Sequence, residues 1–93
     1  MQAEIYTKDS CPYCVKAKAL LIQLNIPYTE YKISAGMGES KAAPNQYYVT
    51  RAQLLEKLPT AKTVPQIWID GRHVGGCDDL HAEHAEGKIQ AQI

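Results

Sequence analysis

Cysteine is scarce in this sequence: Cys11, Cys14 and Cys77 are the three found among 93 residues. The odd count, with two of them only three positions apart, excludes the multi-bridge framework of a small secreted domain. A Cys-x-x-Cys pair closes too small a loop to tie distant segments together. Charge excess is missing too. Lysine plus arginine number 10 and aspartate plus glutamate 10, so the chain lacks the basic arm that nucleic acid or an anionic membrane surface would select. No stretch approaches the roughly 18 apolar residues that a membrane span requires. The opening Met1-Gln2-Ala3-Glu4-Ile5-Tyr6 has neither the basic start nor the apolar run of a signal peptide. These absences leave one domain over 1–93, expected in a reducing cytoplasm, with a modest core and marginal stability. In such a chain the cysteines read as chemistry rather than scaffolding.

What is present reads as alternating β and α segments. Glu4 to Thr7 has strand character and leads directly into Cys11. From Pro12 to Leu24, Ala17, Leu20, Leu21 and Leu24 recur at helical spacing while Lys16, Lys18 and Gln23 face outward. Pro12 suits the first helical turn, where its missing N–H costs nothing. Asn25-Ile26-Pro27 ends this helix, and Tyr28 to Ile33 alternates as a strand with Glu30 and Lys32 on its exposed face. Residues 34–49 carry two glycines and a proline without a sustained period; they read as a long loop with one helical turn near Ser40 to Ala43. Thr50 and Gln53 then form a capping-box pattern ahead of a helix whose inner face is Leu54, Leu55 and Leu58. The run Thr63 to Ile69 is β-rich, Asp70-Gly71 signals a hairpin, and Arg72 to Val74 returns. Gly75-Gly76 breaks that strand, and Asp78 to Glu86 forms a last helix closed near Gly87. The order β-α-β-α-β-β-α describes one α/β domain without repeats.

The position of the Cys-x-x-Cys pair matters as much as its spacing. Cys11 follows a strand and opens a helix, where unpaired N–H groups and the helix dipole favour an anion and lower a thiol's pKa. Lys8 adds positive charge and Asp9 opposes part of it. The thiolate is the attacking species in disulfide exchange, so Cys11 is the expected nucleophile, and Cys14, one turn inside the helix, the resolving thiol. The plainer alternative is a zinc half-site, for which His81 and His84 could supply a second pair of ligands. A redox pair accounts for the same residues without metal, and no metal is expected.

Three motifs taken together, Cys11-Pro12-Tyr13-Cys14, Thr63-Val64-Pro65 and Gly75-Gly76-Cys77-Asp78-Asp79-Leu80, resemble the dithiol glutaredoxins. The resemblance covers nearly the whole chain except 34–49, where that family has a shorter connection. It implies a thioredoxin-like fold, a four-stranded mixed sheet flanked by three helices. It also implies a glutathione-disulfide oxidoreductase that takes glutathione as co-substrate and serves cell redox homeostasis as an electron carrier. The implied substrates are protein disulfides, ribonucleotide reductase among them, and glutathionylated proteins. The residues alone allow Pro65 simply to head a strand in the trans form; the resemblance assigns it a cis bond facing the cysteines.

By that same likeness Val64 pairs its backbone with the cysteine moiety of glutathione, Thr63 and Pro65 flank it, and Tyr13 packs beside the bound peptide. Gly76, Cys77, Asp78 and Asp79 receive the γ-glutamyl end at the start of the last helix, a natural carboxylate site once preceded by glycine. Lys8 matches the cation for the glycine carboxylate, with Lys62, Arg51 and Gln53 as further candidates. Cys77 reads as a small semi-buried residue, Trp68 as sheet packing, and His73, His81 and His84 as surface or edge residues. If the first two strands run parallel, the segment 34–49 springs from the active-site edge, and Met37, Tyr47 or Tyr48 would border the substrate groove. A monomer is expected. Two other functions fit less of the sequence: a redoxin recharged by thioredoxin reductase, and an iron–sulfur carrier, which Pro12 and the second active cysteine disfavour.

Overall fold

The computed structural model describes residues 1–33, 40–43 and 45–91, with 40–43 described by backbone alone. Nine elements follow in order: β1 (Ala3–Lys8), α1 (Pro12–Gln23), β2 (Tyr28–Ile33), β3 (Ser40–Ala43), β4 (Gln46–Val49), α2 (Arg51–Lys57), β5 (Gln66–Ile69), β6 (Arg72–Gly75) and α3 (Cys77–Ala85). The strands form one mixed sheet in the order β3-β4-β2-β1-β5-β6. β1 runs parallel to β2, and β2 parallel to β4, while β5 lies antiparallel to β1 and β6 antiparallel to β5.

Strand alternation divides the core between the two faces of this sheet. Ile5, Ile67 and Ile69 point to the face where α1 and α3 pack, joining Leu20, Leu21 and Leu80 in one buried cluster. Their neighbours Tyr6 and Trp68 point the other way and meet Leu54 of α2 and Val49 of β4. Tyr6 stacks on Tyr31 with centroids 4.9 Å apart and meets Trp68 edge-on at 5.5 Å, so Trp68 is sheet packing.

Local signals set the boundaries. Asn25, with φ of 55°, stops α1 in the left-handed conformation that asparagine tolerates. Thr50 Oγ1 accepts the N–H of Gln53 while Gln53 Oε1 accepts the N–H of Thr50, a complete capping box that starts α2. Asp70 and Gly71, with φ of 52° and 82°, make the tight β5–β6 hairpin turn.

The thioredoxin-like architecture and its three helices match the sequence reading; the strand count does not. The sheet has six strands rather than four. The additional pair, β3 and β4, lies in the segment read as a loop, and Ser40–Ala43 is a strand, not a helical turn. The β-prone run Gln46-Tyr47-Tyr48-Val49 is too short to show a period, and its strand character comes from pairing with β2. Glu30 is a second correction. It is 6% exposed rather than solvent-facing, because α1 crosses that face of β2 and Lys18 Nζ reaches its carboxylate at 3.1 Å. Thr7 Oγ1 at 2.6 Å and Gln46 Nε2 at 3.1 Å donate the other bonds that a buried carboxylate needs. No described helix is long and apolar enough to cross a membrane.

Candidate active site

The chain leaves β1 through Ser10, whose φ of 55° turns it sharply, and Cys11 becomes the N-cap of α1 with Pro12 in the first turn. The cap acceptor is the sulfur itself: Cys11 Sγ takes the backbone N–H of Cys14 at 3.2 Å. A sulfur in this position faces the positive end of the helix dipole, the environment that favours thiolate over thiol. Cys11 and Cys14 are joined as a disulfide with Cα atoms 5.2 Å apart. Cys11 is 8% exposed and Cys14 2%, so an incoming disulfide reaches Cys11 first. Asp9, whose charge would oppose that of Lys8, is bound to Lys32 at 2.7 Å, and this hydrogen bond holds the Lys32 ammonium above its usual pKa.

Across from Cys11, the carbonyl oxygen of Val64 lies 3.9 Å from its sulfur. The Val64–Pro65 peptide bond is cis. A groove of about 520 Å³ opens beside this point. Tyr13, Thr63, Val64 and Pro65 line one side of it, and Gly76, Cys77, Asp78 and Asp79 the other. Its volume falls within the few hundred to a thousand Å³ typical of small-molecule sites. Eight of the residues singled out in the sequence therefore share one groove. Lys8 is set apart from it, in an adjoining hollow of about 80 Å³ with Arg51, Lys62, Thr63 and Val64. Gln53, the remaining candidate for a carboxylate contact, is engaged in the α2 capping box.

The two aspartates at the start of α3 are used differently. Asp79 Oδ2 accepts the N–H of Gly76 at 3.0 Å and so braces the turn into the helix, whereas Asp78 is exposed on the groove. Gly75 makes that brace possible. Its φ is +122°, and a Cβ there would collide with the Asp79 carboxylate. Gly75→Ala is expected to cost about 1–3 kcal/mol, from the strained backbone together with the displaced cap. Urea denaturation of the two proteins measures it.

Cys77 is 5% exposed at the first position of α3, so what it presents to the groove is mainly backbone. Burial, helped by the Asp78 charge and only partly offset by Lys16, pushes its thiol above the ordinary value. It stays protonated at neutral pH. Among the described residues no three His, Cys, Asp or Glu side chains stand together where they could hold a metal ion.

The structure adds groove residues that the sequence reading did not assign. Gln66 and His73 line it as well, and His73 does so from an exposed place on the edge strand β6, in keeping with the surface or edge residue the sequence implies. The only signal in the sequence was a polar residue at the head of an otherwise apolar strand. A further hollow, of about 460 Å³, lies on the other side of Cys11 and Cys14 and reaches the Lys18–Glu30 pair. Tyr47 and Tyr48 do not line the groove; Tyr47 stacks on Tyr31 with centroids 5.9 Å apart. Met37 lies outside the described residues.

Comparison with known proteins agrees with this arrangement. The glutaredoxin family model matches residues 3–74. Glutaredoxin 1 of Rickettsia typhi is 45% identical over 85 residues, covering 91% of this chain and 72% of the relative. Glutaredoxin 3 of Escherichia coli is 43% identical over 86 residues, covering 92% and 89%. Among solved structures, glutaredoxin from Brucella melitensis superposes with a TM-score of 0.66 at 40% identity, covering 95% of this chain and 83% of its own. The buckwheat glutaredoxin–glutathione complex gives 0.69 at 29% identity, covering 92% and 70%. A cysteine pair at the start of a helix, a cis-proline loop facing it and matches of this extent lead to one conclusion: the chain belongs to the glutaredoxin family of thiol–disulfide oxidoreductases.

Proposed function

We propose that this protein reduces glutathione mixed disulfides and protein disulfides with glutathione as the electron donor, Cys11 acting as nucleophile and Cys14 as resolving thiol. The observation that carries the reading is the groove beside the Cys11 sulfur, open to backbone at Val64 and to the start of α3 at Gly76–Asp78. A tripeptide with a thiol in its middle and a charged group at each end meets complementary groups there. Backbone at Val64 suits the central cysteine, in the manner of a short added strand. The first turn of α3 and the Asp78 carboxylate suit the carboxylate and ammonium of the γ-glutamyl end. Lys8, Arg51 and Lys62 around the adjoining hollow suit the glycine carboxylate. The relative solved as a glutathione complex supports the same choice of ligand.

On a glutathionylated substrate the Cys11 thiolate attacks the glutathione sulfur; the substrate sulfur leaves as a thiolate and takes a proton from solvent. A second glutathione thiolate then attacks the Cys11-bound glutathione, releasing glutathione disulfide and restoring the Cys11 thiolate. On a protein disulfide, Cys11 forms the mixed disulfide and expels one substrate thiolate. Cys14 loses its proton, attacks Cys11 and expels the second, which leaves the Cys11–Cys14 disulfide, the form present in this structure. Two glutathiones reset the pair. A potential of about −200 to −230 mV, usual for glutaredoxins, lets a glutathione pool drive the cycle. The cytoplasm is the compartment this chemistry fits, and the disulfide of ribonucleotide reductase is one substrate the reading admits.

The test is turnover of a small glutathione mixed disulfide in an assay coupled through glutathione reductase to NADPH. Rates that rise with glutathione support the reading. Turnover sustained by thioredoxin reductase, and indifferent to glutathione, overturns it.

A further inference from the structure

We infer that Gln66 is a positioning residue that ties the two walls of the groove together, and that His73 fixes Gln66 in that role. Gln66 heads β5 directly after Pro65 and is 8% exposed. Its Nε2 donates to the Thr63 carbonyl at 3.0 Å, and its Oε1 lies 2.9 Å from His73 Nε2. The chemistry of the groups orders this chain. A carbonyl oxygen only accepts, so the Gln66 nitrogen must face Thr63. That leaves Oε1, also a pure acceptor, toward His73, whose Nε2 must therefore carry a proton and donate it. The indole of Trp68, with centroids 4.8 Å away, packs against the His73 ring and limits its rotation.

One end of this chain is the loop that presents Val64, and the other is β6, which runs on into Gly75 and Gly76. Thr63, Gln66 and His73 all line the groove. The chain spans the floor between the wall that would pair with the cysteine moiety and the wall that would hold the γ-glutamyl end. It sets their separation without touching the reacting sulfur. The inference rests on the glutathione reading proposed above, and it makes affinity for the glutathionyl group, rather than reactivity at Cys11, depend on Gln66 and His73.

The experiment measures KM and kcat for cysteine–glutathione disulfide in the coupled assay, for the wild type and for Gln66→Leu, His73→Leu and His73→Gln. The alkylation rate of reduced Cys11 by iodoacetamide, which needs no groove, is measured on the same proteins. Gln66→Leu and His73→Leu are expected to raise KM about tenfold, the scale of one lost hydrogen bond. Their kcat stays within about twofold, the signature of lost ground-state binding, and Cys11 alkylation is unchanged. His73→Gln, which restores a donor to Gln66 Oε1, recovers most of the KM. Unchanged KM in both leucine variants overturns the inference, as does a parallel fall of kcat and alkylation rate, which would mark a general structural loss. Wild-type turnover that does not depend on glutathione removes the underlying reading and this inference with it. Glutathione-dependent wild type with unaltered variants removes the inference alone.

Discussion

Cys11→Ser is expected to abolish turnover of both substrate classes, with activity falling at least about a thousandfold, since the attacking thiolate is replaced by a hydroxyl that stays protonated. Neither of the other two cysteines can substitute. Cys14 is 2% exposed, below the surface that an incoming disulfide meets, and Cys77 is buried with its thiol pushed up in pKa by that burial. The sulfur of Cys11 alone both caps α1 and faces Val64. The measurement is coupled turnover on a small glutathione mixed disulfide and on a protein disulfide, with circular dichroism to show that the variant remains folded. Residual activity near that of the wild type would assign the chemistry to another thiol.

Cys14→Ser is expected to separate the two activities. Deglutathionylation needs only Cys11 and an external glutathione, so it persists at a rate comparable with the wild type. Reduction of a protein disulfide needs an internal thiol to displace the substrate, because the mixed disulfide otherwise waits for a glutathione from solution. An internal thiol within reach has an effective concentration far above the millimolar glutathione of a cell, and intramolecular displacement gains correspondingly. Loss of about a hundredfold or more in protein-disulfide turnover is therefore expected. Mass spectrometry under turnover conditions should find the variant accumulated as a mixed disulfide at Cys11. Equal loss of both activities would mean that Cys14 has a structural role at the α1 start and is not the resolving group.

The contrast with what could be read from the sequence follows from how local each signal is. The Cys11–Cys14 pair, Pro12 at the first helical turn, the Thr50–Gln53 capping box and the Asp70-Gly71 turn depend on a few adjacent residues, and each has the structure its residues imply. The cis bond before Pro65 was legible only through the family likeness; the residues by themselves favoured trans. β3 and β4 were not legible, since their strand character comes from pairing β4 with β2 across a stretch broken by glycine and proline. The burial of Glu30 was hidden for the same reason: the lysine that satisfies it lies on a helix that only the folded chain brings across. Gln66 and His73 are seven residues apart around a hairpin. Neither has a motif, and their shared role emerges only once β5 and β6 pair and place both beside Thr63.

The proposed chemistry requires the Cys11 sulfur to be ionised near neutrality at the start of α1. The most direct measurement is the pH dependence of iodoacetamide alkylation of the reduced protein, with peptide mapping to separate Cys11 from Cys14 and Cys77. A Cys11 titration with a midpoint well below the ordinary thiol value of about 8.5, down in the range of about 3.5–7.5 found at helix N-termini, is the predicted result. A midpoint at or above that of a free thiol would contradict it.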